Sequence, residues 1–251
     1  MRPSGECMQF VERDTMNLQQ IADTLAKELG ALTFSPPVTH VYNPLVYARK
    51  PGALYLDRYG EGPKEAVFLG MNPGPWGMAQ TGVPFGEIAM VRDWLGIETE
   101  VDRPEHEHPK KKVEGFSCRR SEVSGRRLWG LFRARFGEAE QFFARFFVLN
   151  YCPLLFLDDD GRNITPDKLK QSEREPLLAV CDLALRSAMS DLRPGSVVGI
   201  GNFAAERAET ALAGLNIRVG RILHPSPANP AANRNWEEKA VRQLQEQGII
   251  M

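Results

Sequence analysis

Cysteine is scarce in this chain: Cys7, Cys118, Cys152 and Cys181 are all there are, and none is paired as Cys-x-x-Cys. Their spacing fits neither zinc nor iron–sulfur ligation, so four free thiols in a reducing compartment are expected. The four histidines, His40, His106, His108 and His224, form no helical metal motif. His106-Glu107-His108 is bracketed by Pro104 and Pro109 and reads as a solvated turn. No apolar run approaches the roughly 20 residues needed to cross a bilayer, so no membrane partner is expected. Met1 to Asp14 lacks the basic-then-apolar pattern of a secretion signal. An intracellular location follows as an expectation: cytoplasm or nucleoid in a bacterium, nucleus in a eukaryote. Charge of one sign is also missing, with a net value of −1 that by itself predicts no polyanion partner. No internal repeat, low-complexity tract or second-domain boundary is visible.

What is there is ordinary globular composition, 43% hydrophobic and 25% charged, in a 251-residue length suited to one α/β domain. Residues 1–16 are expected to form a flexible arm and 17–251 a single domain, with a monomer as the expected state. Charge is unevenly placed. Between Lys110 and Arg145 ten basic residues face four acids, which leaves +6 there and −7 elsewhere. Such asymmetry suggests one basic face, although a solvated helix surface would look the same.

The apolar pattern divides the chain. Leu18, Ile21, Ala22, Leu25 and Leu29 recur at helical spacing, predicting a helix over 17–29 closed by Gly30. Residues 35–63 read as a long loop with a strand near Ala53-Leu54-Tyr55-Leu56. Four buried strands are expected at 66–69, 146–150, 196–200 and 217–223. Helices are expected at 87–95, from Ser124 as cap, from 138, from Thr165-Pro166 to about 191 with a break near Pro176, at 202–213 and at 229–247. Residues 97–117 are polar and irregular, with mobility expected. Trp94, Trp129, Phe132, Phe142, Phe143 and Phe146 are core candidates, and Asp158-Asp159-Asp160 reads as a loop before Gly161. Strands alternating with helices give a three-layer α/β/α sandwich around a central four-stranded, mostly parallel sheet. Asn72, Asn150, Gly201-Asn202 and His224 then all fall at or just past strand C-terminal ends, where open α/β sheets bind ligands.

Two segments stand out: Gly70-Met71-Asn72-Pro73-Gly74-Pro75-Trp76-Gly77-Met78-Ala79-Gln80-Thr81-Gly82-Val83-Pro84-Phe85-Gly86-Glu87 and His224-Pro225-Ser226-Pro227-Ala228-Asn229-Pro230. They closely resemble the two signature motifs of the single-strand-selective monofunctional uracil-DNA glycosylases. Glu122-Val123-Ser124-Gly125 and Asn150-Tyr151-Cys152-Pro153-Leu154 resemble further segments of that family. The resemblance implies excision of uracil and oxidised 5-substituted uracils such as 5-hydroxymethyluracil from single- or double-stranded DNA. It also implies no metal, no cofactor and no lyase step.

The resemblance assigns Asn72 to positioning the nucleophilic water. The chemistry agrees: an amide can hold water but is no general base at neutral pH, which suits a dissociative path. The two-carboxylate scheme of many sugar hydrolases is not needed. His224 can donate to uracil O2 as charge grows there. The Asn150 amide can pair with N3–H and O4 together, a polarity that cytosine reverses. Phe85 stands to stack on the base, and Met71, Gly74 and Met78 to shape the pocket near C5. Ser124, Pro225, Ser226, Pro227, Ala228, Asn229 and Arg234 are the expected DNA contacts, with Arg221 a further phosphate candidate. In the family the segment after the histidine fills the space left by a flipped nucleotide. Ala228 stands where animal relatives carry arginine, which weakens the expected grip on duplex. Trp76 stands where some relatives carry Phe, with little change expected. Lys110-Lys111-Lys112 is either a solvated run or a DNA contact. Two other readings remain: a catalytically weak damaged-DNA-binding protein of the same fold, and a nucleotide binder using Gly199-Ile200-Gly201. The second lacks the Lys-Ser/Thr of a phosphate loop.

Overall fold

The computed structural model describes residues 16–250; the expected N-terminal arm, apart from Met16, lies outside the described residues, as does Cys7. Helix α1 (Leu18–Gly30) opens on a capping box, in which Asn17 accepts from the Gln20 N–H and Gln20 accepts from the Asn17 N–H, both at 2.9 Å. Strand β1 (His40–Tyr42) and helices α2 (Pro44–Tyr47) and α3 (Arg49–Tyr59) follow. Then come β2 (Ala66–Gly70), the short α4 (Met78–Thr81), a π-helical turn at Met90–Trp94, α5 (Val123–Phe136) and α6 (Ala139–Phe143). Strands β3 (Phe146–Asn150), β4 (Leu155–Leu157) and β5 (Asn163–Ile164) precede α7 (Gln171–Leu192). The chain closes with β6 (Ser196–Ile200), α8 (Asn202–Ala211), β7 (Arg218–Ile222) and α9 (Trp236–Glu246).

The central sheet has the order β3-β2-β6-β7, and every pair in it is parallel. Strands β2 and β6 are buried throughout and β3 over its first three residues because helices cover both faces, while the edge strand β7 is buried only at Ile222. Consecutive residues of a strand point to opposite faces. Phe146 meets Phe136 of α5 and Phe142 of α6, whereas Phe147 stacks on Tyr55 of α3 at 5.0 Å. All six aromatic core candidates are buried. A second, antiparallel sheet, β1-β4-β5, sits beside the first.

The open edge of β7 is covered by α9. The Gln247 amide accepts from Arg221 N–H at 2.8 Å and donates to Arg221 C=O at 2.9 Å. Gln243, one helical turn earlier, accepts from Leu223 N–H at 2.8 Å.

Six expectations are corrected. Residues 35–63 are not one long loop but hold β1, α2 and α3. The proposed strand at 53–56 lies inside α3. Tyr55 and Tyr59 are four residues apart, both buried, and their hydroxyls donate to Val148 and Leu95 carbonyls at 2.9 Å. That period-four burial outweighs a short β-like run. Ser124 is not the cap of α5: Glu122 holds that position and makes no side-chain cap bond. Pro176 does not break α7, because it stands in the second turn and removes only one hydrogen bond near the helix start. The expected 229–247 helix is split into a 3-10 turn at Pro230–Ala232 and α9, since Asn235 takes φ +51°. Finally, His108 is no solvated turn residue. It is buried, and its Nδ1 accepts from Lys110 N–H at 3.0 Å. Cys118, Cys152 and Cys181 are free and buried.

Candidate active site

The register of β2 against β3 sets Gly70 opposite Asn150, so both strands end together. Beyond them the two loops stay zipped. Tyr151 N–H donates to Gly70 C=O and Cys152 N–H to Met71 C=O, each at 2.9 Å. Asn72 Nδ2 donates to Leu154 C=O at 3.2 Å. A carbonyl can only accept, so this contact fixes which way the amide faces and leaves Oδ1 as an acceptor. An Oδ1 so placed can take a water O–H and hold the water's lone pairs toward a reacting carbon.

Gly70 permits a close approach that no other residue allows. A Cβ there would collide with Asn150 Oδ1 and lie 2.6 Å from Phe85 Cε2. Phe85 itself takes φ +53°, a region costly for a bulky side chain. Its carbonyl is held by the Trp129 indole N–H at 3.0 Å and the Glu87 N–H at 2.7 Å, which fix the strained turn. Asn150 Nδ2 meets Met78 Sδ at 3.2 Å. A thioether is a weak acceptor. It orients the amide yet is readily displaced by a carbonyl oxygen.

His224 follows β7. Its Nδ1 accepts from Ser226 N–H at 3.1 Å, so the ring proton sits on Nε2. Desolvation lowers its pKa to about 4, so the ring is neutral at physiological pH. Its centroid lies 6.2 Å from that of Phe85, at 43° between planes. Gly201, at φ +94°, keeps the space beside it open; a Cβ there would sit 3.2 Å from His224 Cβ.

The segment after His224 is pinned from α5: Arg127 Nη1 donates to Pro225 C=O at 2.8 Å. Asn233 Nδ2 donates to Pro227 C=O at 2.9 Å, and Ala228 N–H donates to Ser226 Oγ at 3.2 Å. Asn229 Oδ1 accepts from Ala231 N–H at 3.1 Å. Pro227, Ala228 and Arg234 are exposed. Arg221 is engaged with Asn202 Oδ1 at 2.9 Å. Ser124 sits in the first turn of α5, partly exposed.

The structure thus draws Asn150, Phe85, Met78 and His224 together beside the Asn72 loop. Gly74 has a different neighbour. A Cβ on Gly74 would lie 2.5 Å from Glu122 Oε1, and one on Gly77 would strike the same carboxyl. Glu122 Oε2 is buried with no hydrogen-bond partner, and desolvation, reinforced by the Glu87 charge, raises its pKa to about 7. Sequence reasoning assigned no role to Glu122, Arg127 or Gln80. Glu122 and Gln80 gave a signal only as members of segments that carry the resemblance, and Arg127 only as part of the basic stretch.

A family model described as the Uracil DNA glycosylase superfamily matches residues 58–245. The chain belongs to that superfamily. Within it, the chain belongs to the single-strand-selective monofunctional uracil-DNA glycosylases. It is 53% identical over 228 residues to such a protein of Rattus norvegicus, covering 90% of this chain and 82% of the relative. The Mus musculus and Bos taurus proteins are each 52% identical over 228 residues and 90% of this chain, covering 82% and 84% of the relatives. The crystal structure of wild-type SMUG2 from Pedobacter heparinus shares the fold, with a TM-score of 0.62 at 18% identity, covering 91% of this chain and 98% of that one.

Proposed function

We propose that this protein is a monofunctional DNA glycosylase that removes uracil, and uracil carrying a small 5-substituent, from a nucleotide turned out of the strand. One observation carries the reading most directly. His224 is held by Ser226 as a neutral Nε2–H donor, and its ring and the Asn150 amide both lie beside the Phe85 ring. That pairing suits a base which must be read along one edge and relieved of charge on another.

The C1′–N1 bond breaks with its electron pair going to the base. Negative charge spreads to O2, where the Nε2–H of His224 donates. One such donor is worth about 3 kcal/mol. Neutral imidazole keeps its proton while donating, so the base leaves as an anion and takes a proton from solvent later. Asn150 Oδ1 accepts from N3–H, and Nδ2 exchanges Met78 Sδ for O4. Cytosine offers N3 as an acceptor and an amino group at position 4, so both bonds would be replaced by unpaired groups. Water held by Asn72 Oδ1 adds its oxygen to C1′ and releases a proton, leaving an abasic sugar. Phe85 offers a stacking face.

Ala228 at the exposed tip gives little to fill a duplex gap, so single-stranded or weakly paired DNA is the favoured substrate. The test uses labelled oligonucleotides carrying uracil or 5-hydroxymethyluracil, single-stranded and duplex, with wild type, Asn72→Ala and His224→Ala. Breaks that appear only after alkali and are lost in either variant support the reading. Binding without abasic product from the wild type would replace it with the damaged-DNA-binding alternative.

A further inference from the structure

Trp76 lies in the turn four residues after Asn72, half-buried, with two cations against its indole. Lys111 Nζ is 4.9 Å and the Arg120 guanidinium carbon 4.8 Å from the ring centroid. Among the described residues neither cation forms an ion pair with a carboxylate. Their neighbour Lys110, by contrast, pairs with Asp160 at 3.4 Å. Two like charges gathered on one ring repel each other, and the arrangement is completed by an anion between or beside them.

The place is built rather than accidental. Gln80 belongs to the same signature segment as Asn72 and is 1% exposed. Its Nε2 donates to Pro75 C=O at 2.9 Å and to Lys112 C=O at 3.0 Å, and its Oε1 accepts from Glu114 N–H at 2.8 Å. A single buried amide therefore ties the catalytic turn to the basic loop. Tyr42 holds the loop from the other side: its hydroxyl donates to Lys111 C=O at 2.8 Å and accepts from His108 N–H at 2.7 Å. Lys111 is anchored through its own carbonyl and through its neighbour's, so its ammonium sits over Trp76 without needing DNA to order the backbone. These bonds hold the stretch from His108 to Glu114.

We propose that Trp76, Lys111 and Arg120 form a strand-binding subsite that takes a backbone phosphate flanking the excised nucleotide, on one side of it only. The proposal rests on the glycosylase reading. The phosphate sits against the two cations, and the indole holds them in place and presents its edge to the adjoining sugar. Continuity with the Asn72 turn puts the subsite on the path of the strand that delivers the base.

The test measures binding of the full-length protein to single-stranded oligonucleotides carrying 2′-fluoro-2′-deoxyuridine. The fluorine destabilises a sugar cation and so slows excision. Wild type, Lys111→Gln/Arg120→Gln, Trp76→Ala and Lys111→Arg are compared across a salt series and across oligonucleotides shortened from the 5′ or the 3′ side. The double variant is expected to lower the slope of log K against log salt by about 0.7, the value for one single-strand phosphate contact. Lys111→Arg is expected to keep the wild-type slope. Shortening one side should abolish the difference between double variant and wild type, and shortening the other should not. An unchanged slope in the double variant, or a loss of affinity equal at every length, would overturn the subsite. If the double variant melts early, Lys111→Gln alone is read by the same slope. Failure of the glycosylase reading is separable, because it shows as absent abasic product from wild type on ordinary deoxyuridine.

Discussion

The backbone N–H of Ser226 donates to Nδ1 of His224 at 3.1 Å, two residues back along the same turn. Proton position on the imidazole is thereby decided by the main chain and not by a second titratable group. Burial acts in the same direction, since an imidazolium would be desolvated and would lose the Ser226 bond. The folded-state pKa is about 4, below the ordinary 6.5. This group's contribution to stability is therefore full above pH 6.5 and is lost as pH falls toward 4. Nitrogen-15 NMR of the ring should show an Nε2–H tautomer with its titration near pH 4. A His224 resonance titrating at 6.5 would refute this account of the donor.

Gly70→Ala should cripple excision more than it harms the fold. The added methyl displaces the Asn150 amide and the Phe85 ring together. Overpacking costs about 1–3 kcal/mol of stability, while misplacing a recognition group by an ångström costs on the order of 10²-fold in rate. Single-turnover excision beside a denaturant midpoint separates the two effects. A near-normal rate would mean that Asn150 does not read the base from its observed position.

Glu122→Gln should flatten the pH dependence of stability. The carboxyl's pKa is raised from 4.5 to about 7. Its contribution is full below pH 4.5 and is lost as pH rises through about 7, where the buried group must ionise beside Gly74 and Gly77. The loss is on the order of 3 kcal/mol at most, from about 1.4 kcal/mol per unit. Urea unfolding of wild type and variant at pH 5 and pH 8 checks this. The variant should be the more stable of the two at pH 8, and equal pH dependence in both would contradict the burial argument.

Ala228→Arg should raise excision from duplex relative to single strand by several-fold. Ala228 is exposed on a segment already pinned by Arg127 and Asn233, so the longer side chain meets no core. It gains a charge and the length to occupy a vacated stack. The ratio of duplex to single-strand rates is the measurement, and an unmoved ratio would place the strand preference elsewhere.

Most of the central sheet was legible because β2, β3 and β6 are near-continuous apolar runs that no helix pattern imitates, whereas the edge strand β7, Arg-Val-Gly-Arg-Ile, is mixed. Asn72, Asn150 and His224 were legible because each ends or closely follows a strand visible in the sequence. The small sheet was not. Strand β1 has three residues, and its partner β4 lies more than a hundred positions away, as with His40 opposite Leu157. Nothing local announces that pairing. Gln80, Arg127 and Glu122 were opaque for a related reason. What each does depends on carbonyls or glycines brought to it by the fold, and a side chain's reach to a distant main chain has no periodicity.

The cover over β7 has a further consequence. Gln247 matches Arg221 donor to acceptor and acceptor to donor, as a neighbouring strand would, and Gln243 extends the match to Leu223, the residue before His224. Without α9 the last strand would offer a free row of amides and carbonyls on which a second molecule could pair. The helix thus keeps the sheet from growing at this edge, and the same two glutamines brace the strand from which the imidazole is hung. Self-association and loss of the donor would arise from one and the same fault.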